Sequence, residues 1–214
     1  MLRGGFHPAP DDAVPALPDG KPTGTVVLAG NAGSAMWEAF SSAARDPGES
    51  APLDAWLGPQ LRTLATQVDA HLILPSEGPP PYPPFQAWAM RAEPVQRSPL
   101  GILIHPVYGL WHVYRAAFCF AERLPVLARD DIPSPCTTCV AKPCLQVCPA
   151  DAFTPDRFEA QRCVEHVAGS QGSACREGGC LARRACPVGR DYTYPPAAQA
   201  FHTAALLRWG AEEF

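Results

Sequence analysis

The chain has 214 residues, of which 47% are hydrophobic and 18% charged, with a formal net charge of −4. That length suits one generous domain or two small ones. The mild acidic balance excludes the strongly basic footprint of a direct nucleic-acid binder, and the apolar content excludes a disordered chain despite 26 prolines.

The opening, MLRGGFHPAPDDAVPALPDG, lacks an apolar signal core and reads as a flexible, proline-rich arm over residues 1–23. No apolar run reaches the roughly 18 residues of a membrane span. The expected compartment is the cytoplasm, where thiols stay reduced and clustered cysteines hold metal more often than they form disulfides.

Residues 24–128 read as a small α/β domain. TVVLAGN is a β-branched apolar run, hence a buried strand, and GSAMWEAF follows it as a helix with Ser34 as its cap. The glycines between them resemble a phosphate-binding turn, but the full dinucleotide or P-loop spacing is absent, so an ordinary tight turn is the reading taken. Leu53, Leu57, Leu61, Leu64 and Val68 recur at helical spacing, with Pro59 starting or kinking a segment. HLILP is a second short strand. PSEGPPPYPPF, Pro75 to Phe85, is polyproline-like and serves better as a rigid connection than as a partner ligand. LGILIHP and LWHVYRAAFCF are expected to pair as a hairpin around VYG. Within it, His105, Tyr108, Trp111 and His112 are candidates for a cofactor or substrate pocket, against the plainer reading of packing and turn residues. Cys119 falls among the apolar residues of that second strand and reads as a small buried hydrophobe.

From residue 129 the cysteines dominate. Cys136, Cys139, Cys144 and Cys148 form C-x2-C-x4-C-x3-C-P. The bacterial ferredoxin run for [4Fe–4S] clusters is C-x2-C-x2-C-x3-C-P, so the outer gaps and the proline match while the middle gap is two residues longer. In that motif the fourth cysteine ligates the other cluster. Proline restricts its own φ and turns the residue before it away from the helical region, a role that both Cys148-Pro149 and Cys186-Pro187 fit. Cys163, Cys175, Cys180 and Cys186 bring the thiols between residues 136 and 186 to eight, the number that two [4Fe–4S] clusters require. One cluster remains an alternative, since the second set is irregularly spaced. A zinc site of Cys136, Cys139, Cys175 and Cys180 is another, but it leaves four cysteines idle and both Cys-Pro pairs unexplained. Arg176, Arg183, Arg184 and Arg190 surround the last cysteines, either offsetting cluster charge or forming a solvated basic face.

CTTCVAKPCLQVCPADAF, then DRFEAQRCVEH, then the late C…C…CP resemble the iron–sulfur domain of epoxyqueuosine reductase and the related corrinoid reductive dehalogenases. SPLGILIHPVYGLWHVYRAAFCFAERLP is similar to the segment preceding the first motif in those enzymes. The resemblance spans about residues 94–187. It implies that Cys136, Cys139, Cys144 and Cys186 hold one cluster, and Cys148, Cys163, Cys175 and Cys180 the other. The gap between Cys139 and Cys144, and the four residues between Cys175 and Cys180, depart from the family pattern. Family members bind a corrinoid in a larger N-terminal domain, for which residues 24–128 offer little room, so cobalamin is not the favoured cofactor.

The expected architecture is α+β: arm 1–23, α/β domain 24–128, ferredoxin-like [4Fe–4S] domain 129–190 and closing helix 191–214. The expected function is electron transfer through two [4Fe–4S] clusters with a redox partner protein. The alternatives are a corrinoid-dependent oxidoreductase, with tRNA as partner only if the epoxyqueuosine reductase analogy holds, and a zinc-stapled interaction module.

Overall fold

The computed structural model describes residues 1–43, 51–78, 80–154 and 157–213, so part of the segment before the Leu53 helix, Pro79 of the polyproline stretch and Asp156 of the DRFEAQRCVEH motif lie outside the described residues. The chain divides into two compact units. One comprises residues 1–31, 35–94 and 113–131; the other comprises 32–34, 95–112 and 132–214.

The first unit contains β1 (Leu2–Phe6), β2 (Thr25–Ala32), α1 (Ala35–Ser42), α2 (Pro52–Gln67), β3 (His71–Ile73) and α3 (Phe85–Ala92). In the second, β4 (Gln96–Arg97) and β5 (Leu103–Ile104) form a two-stranded ribbon, paired antiparallel through Gln96–Ile104 and Arg97–Leu103. The long strand β6 (His112–Phe120) then supplies the rest of the main sheet, whose order is β1-β2-β6-β3. β1 lies antiparallel to β2, and β3 antiparallel to β6 with Leu72 opposite Phe118. Ala116 and Phe118 of β6 pack with Ala65 and Leu61 of α2, so the helical spacing of apolar residues in α2 becomes one wall of this core. Pro59 lies inside α2.

Residues 1–23 are not the expected flexible arm. β1 is an edge strand, and Arg3, fully buried, pairs with Glu93 just beyond α3, Nη2 to Oε2 at 2.6 Å. Tyr114 Oη donates to the same Glu93 oxygen at 2.6 Å, which gives the partly buried carboxylate two strong partners. Trp88 Nε1 donates to Asp12 O and Arg91 pairs with the Asp12 carboxylate. A buried ion pair and side-chain anchors hold this segment, and hydropathy does not register them.

The expected hairpin is also absent. β5 pairs with β4, and β6 belongs to the main sheet. The reversal between them is a tight turn with a single bridge, His105 to Gly109, in which His105 Nδ1 accepts from the Val107 and Tyr108 N–H groups. The divided units likewise place residues 95–112 with the cysteine region rather than with the α/β part.

The cysteine region is built from short helices: α4 (Pro135–Thr138), α5 (Pro143–Gln146), α6 (Ala160–Ala168), α7 (Ser173–Gly178) and α8 (Leu181–Arg184), closed by α9 (Pro196–Glu213), which packs on α6 and α7. α4 and α5 both start with proline, whose preset φ suits the first helical position, and Ser134 Oγ caps α4 by accepting from the Cys136 N–H.

Candidate metal centre

All eight cysteines between residues 136 and 186 are free thiols, and they divide between two cavities in the second unit. The first is lined by Cys136, Cys139, Cys144 and Cys186 together with Ile104, Val188, Lys142 and prolines. The second is lined by Cys148, Cys163, Cys175 and Cys180 together with Phe153, His166, Val167, Leu181, Thr203 and Leu206. Leu110, Ala182 and Cys186 belong to a small core against which Cys136, Cys144, Cys148 and Cys180 pack.

Local sequence explains much of this placement. Cys136 starts a capped turn, and Lys142 in left-handed conformation (φ 38°) turns the chain into α5, which carries Cys144. Cys148 follows α5 and precedes Pro149, so it leaves the helical path and faces the second cavity. α6 carries Cys163 and α7 carries Cys175. Cys180 and Cys186 flank α8, one on each cavity.

The thiols sense one another in the same two groups. Burial pushes Cys136 and Cys144 up from the ordinary thiol pKa, and within their own group Cys186 and Cys139 push them further. Burial also raises Cys186, with Cys139 adding to it. Burial takes Cys163 to about 11, with Cys180, Cys148 and Cys175 adding to it, and burial raises Cys180 as well. Bare thiolates are therefore disfavoured in both cavities, and a metal group that binds thiolate must release protons as it enters.

Among the described residues, no three His, Cys, Asp or Glu side chains are arranged to hold a single metal ion. Four soft sulfurs with largely apolar surroundings in each cavity are a donor set that fits a polynuclear iron–sulfur group.

The four pocket candidates from the 105–112 segment line neither cavity. His105 stacks on Tyr108 with ring centroids 4.3 Å apart, His112 Nε2 donates to Leu103 O, and Trp111 is buried against Tyr194. Cys119 is buried in β6 and lines neither cavity, and burial alone takes its pKa to about 12. Two polar residues on the second cavity were not singled out from the sequence, His166 and Thr203. His166 lies three residues after Cys163 on α6, a spacing that puts both on one helix face. Thr203 carries no sequence signal, because α9 reaches the cavity only through tertiary packing.

No family model matches the chain, and no curated protein does. Among solved structures, epoxyqueuosine reductase from Bacillus subtilis is similar with a TM-score of 0.50 at 18% identity, over 81% of this chain and 50% of that one. Epoxyqueuosine reductase from Streptococcus thermophilus aligns over 81% of this chain and 51% of its own, at 14% identity and TM-score 0.49. An epoxyqueuosine reductase solved with a modified tRNA stem loop aligns at 16% identity, TM-score 0.47, over 81% of this chain and 51% of that one. The chain thus spans about half the length of the solved structures it matches, and what it shares with the first of them is the mixed helix-and-sheet fold. No helix among the described residues is long and apolar enough to cross a membrane.

Proposed function

We propose that this chain is a redox protein that moves single electrons through two [4Fe–4S] clusters. Cys136, Cys139, Cys144 and Cys186 hold the first, and Cys148, Cys163, Cys175 and Cys180 hold the second. The observation that carries this reading is the gathering of four thiols around each of two separate cavities. Each set of thiolates supplies the ligands of one cluster. Val167, Leu181 and Leu206 give the second cavity apolar walls, and Leu110 and Ala182 belong to a core against which cysteines of both sets pack. The clusters supply one-electron chemistry, and a redox partner protein delivers or takes the electrons. Anaerobic purification with iron, sulfide, zinc and cobalt analysis tests the reading. Eight iron and eight sulfide per chain are expected, with broad absorbance near 400 nm from thiolate-bound clusters. Stoichiometric zinc without that absorbance rejects it.

A second reading, a corrinoid-dependent reductase acting on tRNA, is supported by the fold shared with the Bacillus subtilis epoxyqueuosine reductase. It is less favoured, because a corrinoid needs a deep apolar pocket and the first unit must build its own core from few residues. Titration of the anaerobic protein with cobalamin separates the two. Tight one-to-one binding with cobalt reduced through the clusters establishes the reductase, and no binding leaves electron transfer alone.

A further inference from the structure

We propose that the face around the first cavity is the docking surface for a small, acidic one-electron carrier protein, which there reaches the group held by Cys136, Cys139, Cys144 and Cys186. The proposal rests on the iron–sulfur reading above and names the kind of partner and the place where it binds.

Charge is segregated around the two cavities. The residues lining the first, with two chain neighbours on either side of each, fall in 97–106, 133–146 and 184–190. These segments hold no aspartate or glutamate, in a chain with 21 of them. They do hold Arg97, Lys142 and Arg190, all exposed. Lys142 itself lines the cavity, Arg97 is two residues from the lining Pro99, and Arg190 is two from the lining Val188. Against the upward push of burial, Lys142 lowers the Cys136 pKa and Arg190 that of Cys186, as cations near those thiols do. Arg184 lies elsewhere: a Cβ at Gly178 would meet its Nη1 at 2.9 Å, which puts its tip over the end of α7. Asp131 and Asp191 lie just outside these segments. The same neighbourhood of the second cavity carries Asp151, Glu165 and Glu177, all exposed, and α9 walls that cavity with Thr203 and Leu206.

The same face holds apolar side chains in water. The Cys139–Cys144 gap, two residues longer than in the bacterial ferredoxin run, contains Val140, which is 95% exposed, and Lys142, whose φ of 38° is uncommon for a residue other than glycine. Leu145 and Val147 follow at 37% and 41% exposure, and Ile102 at the tip of the β4–β5 ribbon is 39% exposed. Exposed aliphatic side chains among a few cations match the charge-poor core and charged rim of a protein interface. A nucleic acid draws its affinity from many phosphate contacts and calls for a denser cationic surface. The charge also selects the partner. The chain carries −4 overall, so an acidic carrier is repelled by most of its surface and drawn to this face, which sets its orientation as well as its rate of encounter. Once docked, the reduced carrier gives up one electron to the first-site group, and no bond forms or breaks.

The test titrates the anaerobic full chain into fluorescently labelled plant-type [2Fe–2S] ferredoxin, a small acidic carrier, and reads the anisotropy. Binding should weaken at least about tenfold between about 10 mM and about 100 mM salt, over which the screening length falls from about 30 Å to about 10 Å. Arg97→Glu, Lys142→Glu and Arg190→Glu should each weaken it at least about fivefold at the lower salt and flatten that dependence. Val140→Ser should weaken it at both salt levels. Arg62→Glu on α2 and Arg208→Glu on α9 reverse equally exposed cations and should change it less than about twofold. Iron is measured in every variant, and where Lys142→Glu loses the first site, Arg97→Glu and Arg190→Glu decide. No binding at the lower salt, or equal weakening by the Arg62 and Arg208 reversals, overturns the proposal. An RNA stem loop that displaces the ferredoxin through the same three cations also overturns it and assigns the face to nucleic acid. Full iron with no effect of the three reversals overturns this inference alone, whereas protein holding zinc overturns the iron–sulfur reading and this inference with it.

Discussion

Cys144 and Cys148 are four positions apart in the chain, yet they line different cavities, Cys144 beside Cys186 and Cys148 beside Cys163. The chain between them ends α5 and meets Pro149, so a single turn hands one thiol to each site. Two groups connected in this way share backbone as well as a common apolar core, and damage to one ligand should be readable site by site.

Alanine at Cys136 or at Cys186 is expected to remove the same cluster, and alanine at Cys148 or Cys163 the other. Each variant should retain about half of the iron of two [4Fe–4S] clusters, and Cys119→Ala should retain all of it. Iron analysis with EPR of each single variant checks the assignment. Loss of the same signal from Cys148→Ala and Cys136→Ala would falsify the division.

Cys119 is expected to make the protein alkali-sensitive. Its thiol is buried in β6 with a pKa of about 12, against about 9 for a free thiol. The folded state therefore holds this proton after the unfolded state has lost it. The resulting stability is complete below about pH 9 and drains away as pH rises towards 12, by up to about 4 kcal/mol. Cys119→Ala should flatten the fall in denaturant midpoint between about pH 9 and pH 11, and an unchanged slope would show that Cys119 contributes nothing to it.

Arg3 is fully buried and pairs with the partly buried Glu93, so removing the carboxylate strands a buried charge. Glu93→Gln should cost about 3 kcal/mol, in the range seen when one member of a buried ion pair is lost. Tyr114→Phe, which removes only the hydroxyl that donates to Glu93, should cost about 1–2 kcal/mol. Urea unfolding of the three proteins gives both values. Equal losses would mean that the carboxylate's charge is unimportant to the fold.

Gly189 has a positive φ of 71°, and a Cβ there would lie 2.3 Å from the Tyr108 carbonyl carbon; Gly109, on the facing segment, would meet Val188 O at 2.0 Å. Val188 lines the first cavity two residues after Cys186. Gly189→Ala should therefore cost at least about 1–3 kcal/mol in backbone strain and weaken the first site while sparing the second. Selective loss of the first-site EPR signal is the expected readout, and equal loss from both sites argues for general unfolding.

By itself the sequence determined which donor atoms the candidate site offers. Eight thiols within 51 positions, the outer gaps of the first run and two Cys-Pro steps are properties of contiguous chain, and they supply the soft sulfur donors on which the proposed function rests. It also determined β2 and the helices α1, α2 and α9, whose apolar patterns or breakers are local. Tertiary structure decided the rest. Cys186 lies 50 positions beyond Cys136, and spacing left open which thiols it would join. The N-terminal residues became strand β1 through Arg3 and Glu93, a long-range ion pair invisible to hydropathy. The segment before the cysteines became β4, β5 and a turn rather than a hairpin, because His105 satisfies the turn's N–H groups and β6 finds its partners in the main sheet. Arg183 differs from Arg184 only in what surrounds it. Two aromatic rings and the Leu110 carbonyl converge on one of these neighbours while the other faces solvent, and such convergence from distant positions is what no local pattern encodes.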